Sequence, residues 1–288
     1  MSSEVKPISW QTKLYRFRCG IYVTICTLLN ITVPEFEEQR FIHIKASGGI
    51  QQAKILIISF AGSTLVVGGF PRPEFKNSLM KAANESGIEA DLLFVADPSQ
   101  AFYLKDPKKG VFDSGEYYVQ NLKELTKNYN KVIAIGSSMG ATGILHLAPR
   151  FKCDTALVFN PLVDVRSDTR FMFWLGGLRL PKKLRDILPG MIKEGFRREA
   201  KESDDQVCRL VAHFSGSSAG DDQQRKVLED LLSDDYETKR FGEKDNGTTS
   251  QGHVLIEHDS EIHVLPRELH SKGLWNGLLV DAISEAAC

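Results

Sequence analysis

A short segment in the middle of the chain constrains the fold more than any other part of the sequence. The apolar run Val132–Ile135 leads directly into Gly136-Ser137-Ser138-Met139-Gly140, and a further apolar segment follows. Such a run predicts a strand that is buried on both faces, as in parallel sheets. Glycines two residues before and two residues after Ser138 permit a turn that is too tight for larger side chains. The segment therefore predicts a strand, a sharp turn that exposes Ser138, and a helix.

Strand-like and helix-like segments alternate through most of the chain. Runs that predict strands lie at 41–45, 55–58, 92–95, 132–135, 155–159, 207–214 and 254–256. Segments that predict helices lie at 74–86, 116–128, 141–148, 221–232 and 274–283. This alternation predicts an α/β fold, with a mainly parallel central sheet and helices on both of its faces.

The alternation stops between residues 164 and 205, where we predict a helical cap insertion. The apolar cluster Phe171–Leu175 within it either lines a pocket above Ser138 or packs as ordinary core. Residues 41–163 and 206–288 then form the α/β core, and residues 1–40 form an N-terminal extension. With 288 residues, the chain suits one large domain that carries a small insertion.

The N-terminal extension carries basic residues at 13, 16 and 18, followed by a largely apolar run at 19–33. This pattern fits a weak targeting or anchor segment, through which the chain would contact a membrane. Because polar residues interrupt the run and it is short for a membrane span, an element packed on the domain is favoured. We therefore expect a cytoplasmic or other intracellular location.

Composition argues against several classes of function. The formal net charge of −1 gives no sign of a nucleic-acid partner. The five cysteines include no Cys-x-x-Cys pair, which argues against both a zinc site and a disulfide framework. The glycines around Ser138 match neither the phosphate-binding loop nor the dinucleotide-binding pattern. Neither a metal nor an organic cofactor is therefore expected.

With Gly136-x-Ser138-x-Gly140 in this setting, residues 54–270 resemble α/β-hydrolases in the order and spacing of their elements. The resemblance implies that Ser138 is a nucleophile and that the backbone N–H of Met139 stabilises an oxyanion. It also implies a second donor in the loop after the early strand, at Ala61 or Gly62. That loop departs from the His-Gly-Gly-Gly pattern of lipases, so the choice between the two amides stays open.

The base of such a site is expected after the last predicted strand, because the order in this fold is serine, acid, histidine. His263 lies a few residues beyond that strand and is the first candidate, with His258 second. His253 would begin the strand and so lie at the opposite end of the sheet, and His270 would lie on a helix.

The acid is expected after the strand predicted at 207–214, where Asp221 and Asp222 both lie. Either aspartate could instead serve the start of the predicted helix, since aspartate is favoured near helix N-termini. Asp221 is preferred because Leu228 then occupies the apolar helix position of the family pattern, but both residues remain candidates.

Three further segments, Asp97–Tyr103, Gly136–Gly140 and Phe159–Pro161, are similar to those of small hydrolase-like proteins associated with surface-polysaccharide genes. This resemblance implies ester or acyl-group chemistry on a carbohydrate-linked or other small-molecule substrate. The expected activity is that of a serine esterase. The alternatives are an acyltransferase with the same residues and a catalytically silent binding protein, and the oligomeric state is left open.

Overall fold

A computed structural model of the chain describes residues 41–46, 53–63, 74–97, 99–166, 180–196, 208–232, 236–242 and 252–287. The strands in these residues are β1 Phe41–Ile44, β2 Ile55–Phe60, β3 Ala90–Val95, β4 Lys131–Ser137, β5 Thr155–Phe159, β6 Arg209–Ser215, β7 Tyr236–Arg240 and β8 His253–His258. The α-helices are α1 Lys76–Ser86, α2 Glu116–Thr126, α3 Met139–Leu147, α4 Lys182–Phe196, α5 Ala219–Leu232, α6 Leu265–Ser271 and α7 Trp275–Ala287.

The strands form one sheet in the order β1-β3-β2-β4-β5-β6-β8-β7. β1 runs antiparallel to β3, and every other neighbouring pair is parallel. The mainly parallel sheet predicted from the sequence is thus confirmed. Because parallel strands end at the same edge, the loops that follow β2, β4, β5, β6 and β8 meet along one side of the molecule.

Helices cover both faces of this sheet, which explains the continuous apolar runs. α2, α3, α4 and α5 pack on one face in a single core cluster, and α1, α6 and α7 pack on the other. Within β4, Val132 and Ala134 point into the first cluster, whereas Ile133 and Ile135 point into the second. Every position of such a strand is buried, so the polar alternation of a half-exposed strand is absent.

β7 was not among the predicted strands. Its sequence Tyr-Glu-Thr-Lys-Arg is partly exposed and has no apolar run, and its one neighbour in the described sheet is β8. A strand at this position is held by backbone hydrogen bonds to its neighbour. Its side chains therefore need not be apolar, and the sequence does not show the pattern of a buried strand. Most of the segment between β7 and β8 lies outside the described residues.

α4 belongs to the segment that the sequence analysis assigned to a cap. Its residues Leu184, Leu188, Ile192 and Phe196 recur every fourth position and are buried in the same cluster as the sheet. The described part of the segment is therefore a helix of the core layer, in contact with α3 and α5. The cluster Phe171–Leu175 and the N-terminal extension lie outside the described residues. No helix in the described part of the chain is long and apolar enough to cross a bilayer.

Candidate active site

Ser138 lies at the junction of β4 and α3 in a conformation that is rare for a residue with a side chain. Its φ is 50° and its ψ is −119°. A Cβ atom on Gly136 would lie 2.9 Å from the carbonyl carbon of Gly140, and one on Gly140 would collide with the backbone oxygen of Phe60. The two glycines are therefore required by close backbone approach, and the serine between them projects from the edge of the sheet.

Three side chains, from the nucleophile turn, the first turn of α5 and the loop after β8, form a continuous hydrogen-bonded chain at this edge. His263 Nε2 lies 3.0 Å from Ser138 Oγ, and His263 Nδ1 lies 2.7 Å from Asp221 Oδ1. The Asp221 side chain is fully buried and that of His263 is 14% exposed. A carboxylate at Nδ1 holds the ring proton there, so Nε2 is the nitrogen that can accept a proton from the serine hydroxyl.

Asp222, the other candidate acid, points away from this chain of contacts. Its carboxylate accepts hydrogen bonds from Lys226 and Arg225, at 2.8 and 2.7 Å. These two cations, Lys226 foremost, lower the pKa of Asp222 below its usual value. Successive residues of a helix point about 100° apart, so only one of two adjacent aspartates can face His263.

The two histidines of β8 that were weighed against His263 have structural partners instead. His253 is buried, accepts the backbone N–H of Leu210 at Nδ1, and lies 3.2 Å from the carbonyl oxygen of Phe196 through Nε2. His258 Nε2 lies 2.8 Å from His213 Nδ1, and burial lowers the pKa of His258 to about 4. These contacts hold β8 and its neighbours together.

Asn160, which no sequence argument selected as a site residue, anchors the loop that carries His263. Its Nδ2 donates to the carbonyl oxygen of His263 and to Ser215 Oγ, while its Oδ1 accepts the backbone N–H of Ser215. Ser215 Oγ in turn donates to the carbonyl oxygen of Ile262 at 2.8 Å. The side chain is fully buried and joins the ends of β5 and β6 to the histidine loop.

The predicted oxyanion donors are placed differently from one another. Met139 is the first residue of α3, so its N–H has no acceptor within the helix. The Ala61 N–H donates to the carbonyl oxygen of Val95 at 2.9 Å, and the Gly62 N–H donates to the carboxylate of Glu74. This corrects the expectation that Ala61 or Gly62 supplies the second donor, because both amides are engaged in holding the loop.

In the described residues, neither a cluster of metal ligands nor the cavity beside α7 adds to this site. No group of three or more histidine, cysteine, aspartate or glutamate side chains is arranged to bind a metal there. A cavity of about 410 Å³ lies between the sheet and α7, and its lining includes none of Ser138, His263 and Asp221.

No family model matches the chain, and no curated protein matches its sequence. Solved structures do match. The hyperthermophilic esterase of the archaeon Pyrobaculum calidifontis is 13% identical over 95% of this chain and 90% of its own, with a TM-score of 0.55. The capsule O-acetyltransferase of Neisseria meningitidis serogroup A is 14% identical over 83% of this chain and 90% of its own, with a TM-score of 0.51.

A third similar structure is a glycosylation-associated protein complex (Gap123) from Streptococcus agalactiae. It is 14% identical over 85% of this chain, with a TM-score of 0.55. This chain spans only 44% of the length of that streptococcal chain. At these identities the likeness to all three structures shows a common fold.

Proposed function

Because this chain has the α/β-hydrolase fold, we propose that it is a serine hydrolase that cleaves an ester through an acyl-serine intermediate. The observation that carries the proposal is the unbroken chain of contacts from Ser138 Oγ through the His263 ring to the buried Asp221 carboxylate. A serine hydroxyl becomes a useful nucleophile when an adjacent base can remove its proton.

In the first step, Ser138 Oγ attacks the ester carbonyl while His263 Nε2 accepts the hydroxyl proton. The imidazolium that forms is stabilised by Asp221, which stays ionised and holds the ring in place. Protonated His263 then delivers this proton to the departing alkoxide, so that the alcohol leaves and the acyl group remains on Ser138.

The negative charge that develops on the carbonyl oxygen needs hydrogen-bond donors. The backbone N–H of Met139, at the N-terminus of α3, is suitably located for this role because helix N-termini favour negative charge. Loss of one such donor typically lowers kcat by about 100- to 1000-fold.

In the second step a hydroxyl compound attacks the acyl-serine while His263 Nε2 accepts its proton. The bond between the acyl carbon and Ser138 Oγ then breaks, the acyl group leaves on the attacking oxygen, and His263 returns the proton to Ser138 Oγ. If this compound is water, the chain is an esterase, and if it is a substrate hydroxyl, the chain is an acyltransferase. Both reactions use the same residues, so analysis of the product in the presence and absence of a sugar acceptor separates them. The capsule O-acetyltransferase among the similar structures is a reason to test the acyltransferase reaction as well.

The substrate that we propose is an ester of a carbohydrate or of another small molecule. Support comes from the segments Asp97–Tyr103 and Phe159–Pro161, which resemble proteins associated with surface-polysaccharide genes. Support also comes from the description of two similar structures as a capsule O-acetyltransferase and a glycosylation-associated protein.

The proposal is tested by covalent labelling with a fluorophosphonate probe, which reacts with activated serines. We expect the wild-type protein and a Ser271→Ala control to be labelled, and the Ser138→Ala variant to be unlabelled. Ser271 is an exposed hydroxyl at the end of α6 and lies outside the site. Equal labelling of Ser138→Ala and wild type would contradict the proposal, and absence of labelling in all three proteins would favour a silent binding protein.

A further inference from the structure

We infer that Glu74 is a positioning residue of the proposed reaction. Its carboxylate ties the loop after β2 to the strand that carries Ser138, and this makes the backbone N–H of Ser63 the second oxyanion donor. The inference rests on the proposed function and names a part of the site that the sequence analysis assigned to other residues.

The Glu74 carboxylate bridges two segments that are distant in sequence. One oxygen accepts the backbone N–H of Gly62, and the other accepts the hydroxyl of Ser137 at 2.9 Å. The carbonyl oxygen of Glu74 also accepts the hydroxyl of Ser59, at 2.7 Å. Because Ser137 immediately precedes Ser138, one side chain links the loop directly to the nucleophile turn.

The same loop is packed against that turn with little free space. A Cβ atom on Gly62 would lie 3.2 Å from the backbone oxygen of Ser137 and 3.3 Å from the Glu74 carboxylate. On the other side, the hydrogen atoms of Gly140 face the backbone of Phe60 and Ala61, where a side chain would collide. Residues 60–62 therefore lie between the end of β4 and the first turn of α3, immediately beside Ser138.

The loop's first two amides are used to hold it in this position. The Ala61 N–H donates to Val95, and the Ala61 carbonyl accepts the hydroxyl of the buried Tyr103 at 2.7 Å. The Gly62 N–H donates to Glu74. The next amide along the loop belongs to Ser63, directly after Gly62, which packs against the backbone oxygen of Ser137.

The Ser63 side chain is held as well, by a separate contact. Its hydroxyl donates to Gln100 Oε1 at 3.2 Å, and Gln100 is almost fully buried. Gln100 Nε2 donates to the carbonyl oxygen of Asp97 at 3.1 Å. With its side chain fixed towards Gln100, Ser63 can present its backbone N–H to the carbonyl oxygen of a bound ester.

A carboxylate suits the bridging role of Glu74 because it meets two donors with two acceptors. Hydrogen bonds to an ionised group are stronger than those between neutral groups. A glutamine keeps one acceptor for Gly62, and its NH₂ group can donate to a rotated Ser137 hydroxyl. Glutamine should therefore preserve much of the bridge, whereas alanine removes it.

The bridge is tested by steady-state kinetics of the full-length protein on a p-nitrophenyl ester. We expect Glu74→Ala to lower kcat by about 100-fold with KM changed less than about threefold, as for a lost oxyanion donor. Glu74→Gln should recover kcat to within about tenfold of wild type. Glu124→Ala, at an exposed position on α2, is the matched control and should behave as wild type. Loss without recovery in Glu74→Gln would show that the residue is merely structural, and would overturn the inference.

The Ser63 donor is tested by replacing residue 63 with its α-hydroxy acid analogue, which exchanges the backbone N–H for an oxygen. This change keeps the side chain and should lower kcat by about 100-fold, and it stays informative if Glu74→Ala fails to fold. Wild-type kcat in this protein would overturn the inference.

Ser138→Ala in the same assay separates the inference about the loop from the proposed function. If Ser138→Ala is inactive while both loop changes are silent, only the inference fails; if Ser138→Ala is active, the proposed function fails.

Discussion

At the scale of single residues, Asp221 and Asp222 show how neighbours with the same chemistry acquire different environments. Asp221 is fully buried against His263, whereas Asp222 is partly exposed and paired with Arg225 and Lys226. The sequence places both carboxylates after β6, but the phase of α5 decides which one faces the edge of the sheet. That phase depends on packing of the whole helix, so local sequence leaves the pair unresolved.

We predict that Asp221→Asn and Asp222→Asn differ sharply in activity. Asparagine at 221 can hold the imidazole in the wrong tautomer, and a loss of about 10⁴-fold in kcat is typical of that change in a Ser-His-Asp site. Asparagine at 222 removes only partly exposed ion pairs, so kcat should stay within about threefold of wild type. Both are measured on the same ester, with circular dichroism as the check on folding. Equal losses in the two variants would contradict the assignment of the acid.

The residues that sequence reasoning missed, Glu74 and Asn160, contact parts of the chain that are distant in sequence, in part through backbone atoms. Ser138, His263 and the aspartate pair could be selected because each follows a predicted strand with a chemically suitable side chain. Glu74 precedes a helix, and its partner Ser137 lies 63 residues further along the chain. Nothing in the local pattern marks such a contact, since its partners are a common hydroxyl far away in sequence and the peptide N–H of Gly62, a group that nearly every residue has.

At the scale of secondary-structure elements, the sequence predicted the largely buried strands of the sheet and also the partly exposed β1. β7 was not predicted from the sequence, because strand pairing at the margin of the described sheet does not require apolar side chains. α4 was detectable as a helix from its apolar residues every fourth position, but this periodicity does not say what the helix packs on. The tertiary structure shows that α4 packs on α3 and α5, and the cap at 164–205 stays a prediction.

The end of β5, the end of β6 and the loop that carries His263 meet at Asn160. We predict that the amide group of Asn160 is needed for full activity. Aspartate at this position could accept the Ser215 N–H but could not donate to Ser215 Oγ and to the carbonyl oxygen of His263. Displacement of the His263 loop by about 1 Å can lower the rate about 100-fold. Asn160→Asp should therefore lower kcat on this scale, with little change in KM.

The control for Asn160 is Asn121→Asp, at a partly exposed position on α2 where the side chain donates to the carbonyl oxygen of Tyr117 in the same helix. That variant should retain wild-type kcat. If Asn160→Asp folds and turns over at the wild-type rate, the histidine loop does not depend on this anchor.

At the scale of the whole molecule, buried neutral histidines should make the fold sensitive to acid. Burial lowers the pKa of His146 and of His258 to about 4, and burial also places the pKa of His213 well below its usual value. In the unfolded chain these side chains titrate near 6.5, so unfolding takes up protons as the pH falls below that value. Their contribution to stability is thus present near neutral pH and is lost on acidification.

We predict that the free energy of unfolding falls between about pH 7 and about pH 5. His146 and His258, whose pKa values are lowered to about 4, should each account for about 1 kcal/mol by pH 5.5. Carboxylates with lowered pKa values, such as Asp91 and Glu268, act in the same direction at lower pH. Urea unfolding at several pH values measures the slope, and His146→Gln should reduce it by about one proton. A free energy that is constant over this range would contradict the prediction.

Backbone strain is concentrated on one side of the molecule. All seven non-glycine residues with positive φ in the described chain lie in loops that leave the carboxyl ends of strands: Phe75, Gln100, Phe102, Tyr103, Ser114, Ser138 and Asn160. Such conformations cost about 1–3 kcal/mol each, which is considerable beside a total stability of about 5–15 kcal/mol. The edge that carries the proposed chemistry is therefore the part of the fold that the rest of the structure has to hold in place.

This distribution predicts that Ser138→Gly is more stable than Ser138→Ala, although both are inactive. Glycine adopts positive φ without steric strain, and the larger entropy of its unfolded state offsets only about 0.5–1 kcal/mol of this gain. Thermal unfolding of the two variants in parallel measures the difference. A melting temperature of Ser138→Gly below that of Ser138→Ala would show that the turn is not strained.

The strain at Ser138 also bears on the history of the chain. If the serine hydroxyl were no longer needed, a change of Ser138 to glycine would stabilise the fold. Such a substitution would then be readily fixed. A serine at this position therefore carries a cost in stability that only a use for its hydroxyl would offset. We expect related chains that keep the chemistry to keep this serine opposite the histidine, and chains that have lost the chemistry to drift towards glycine.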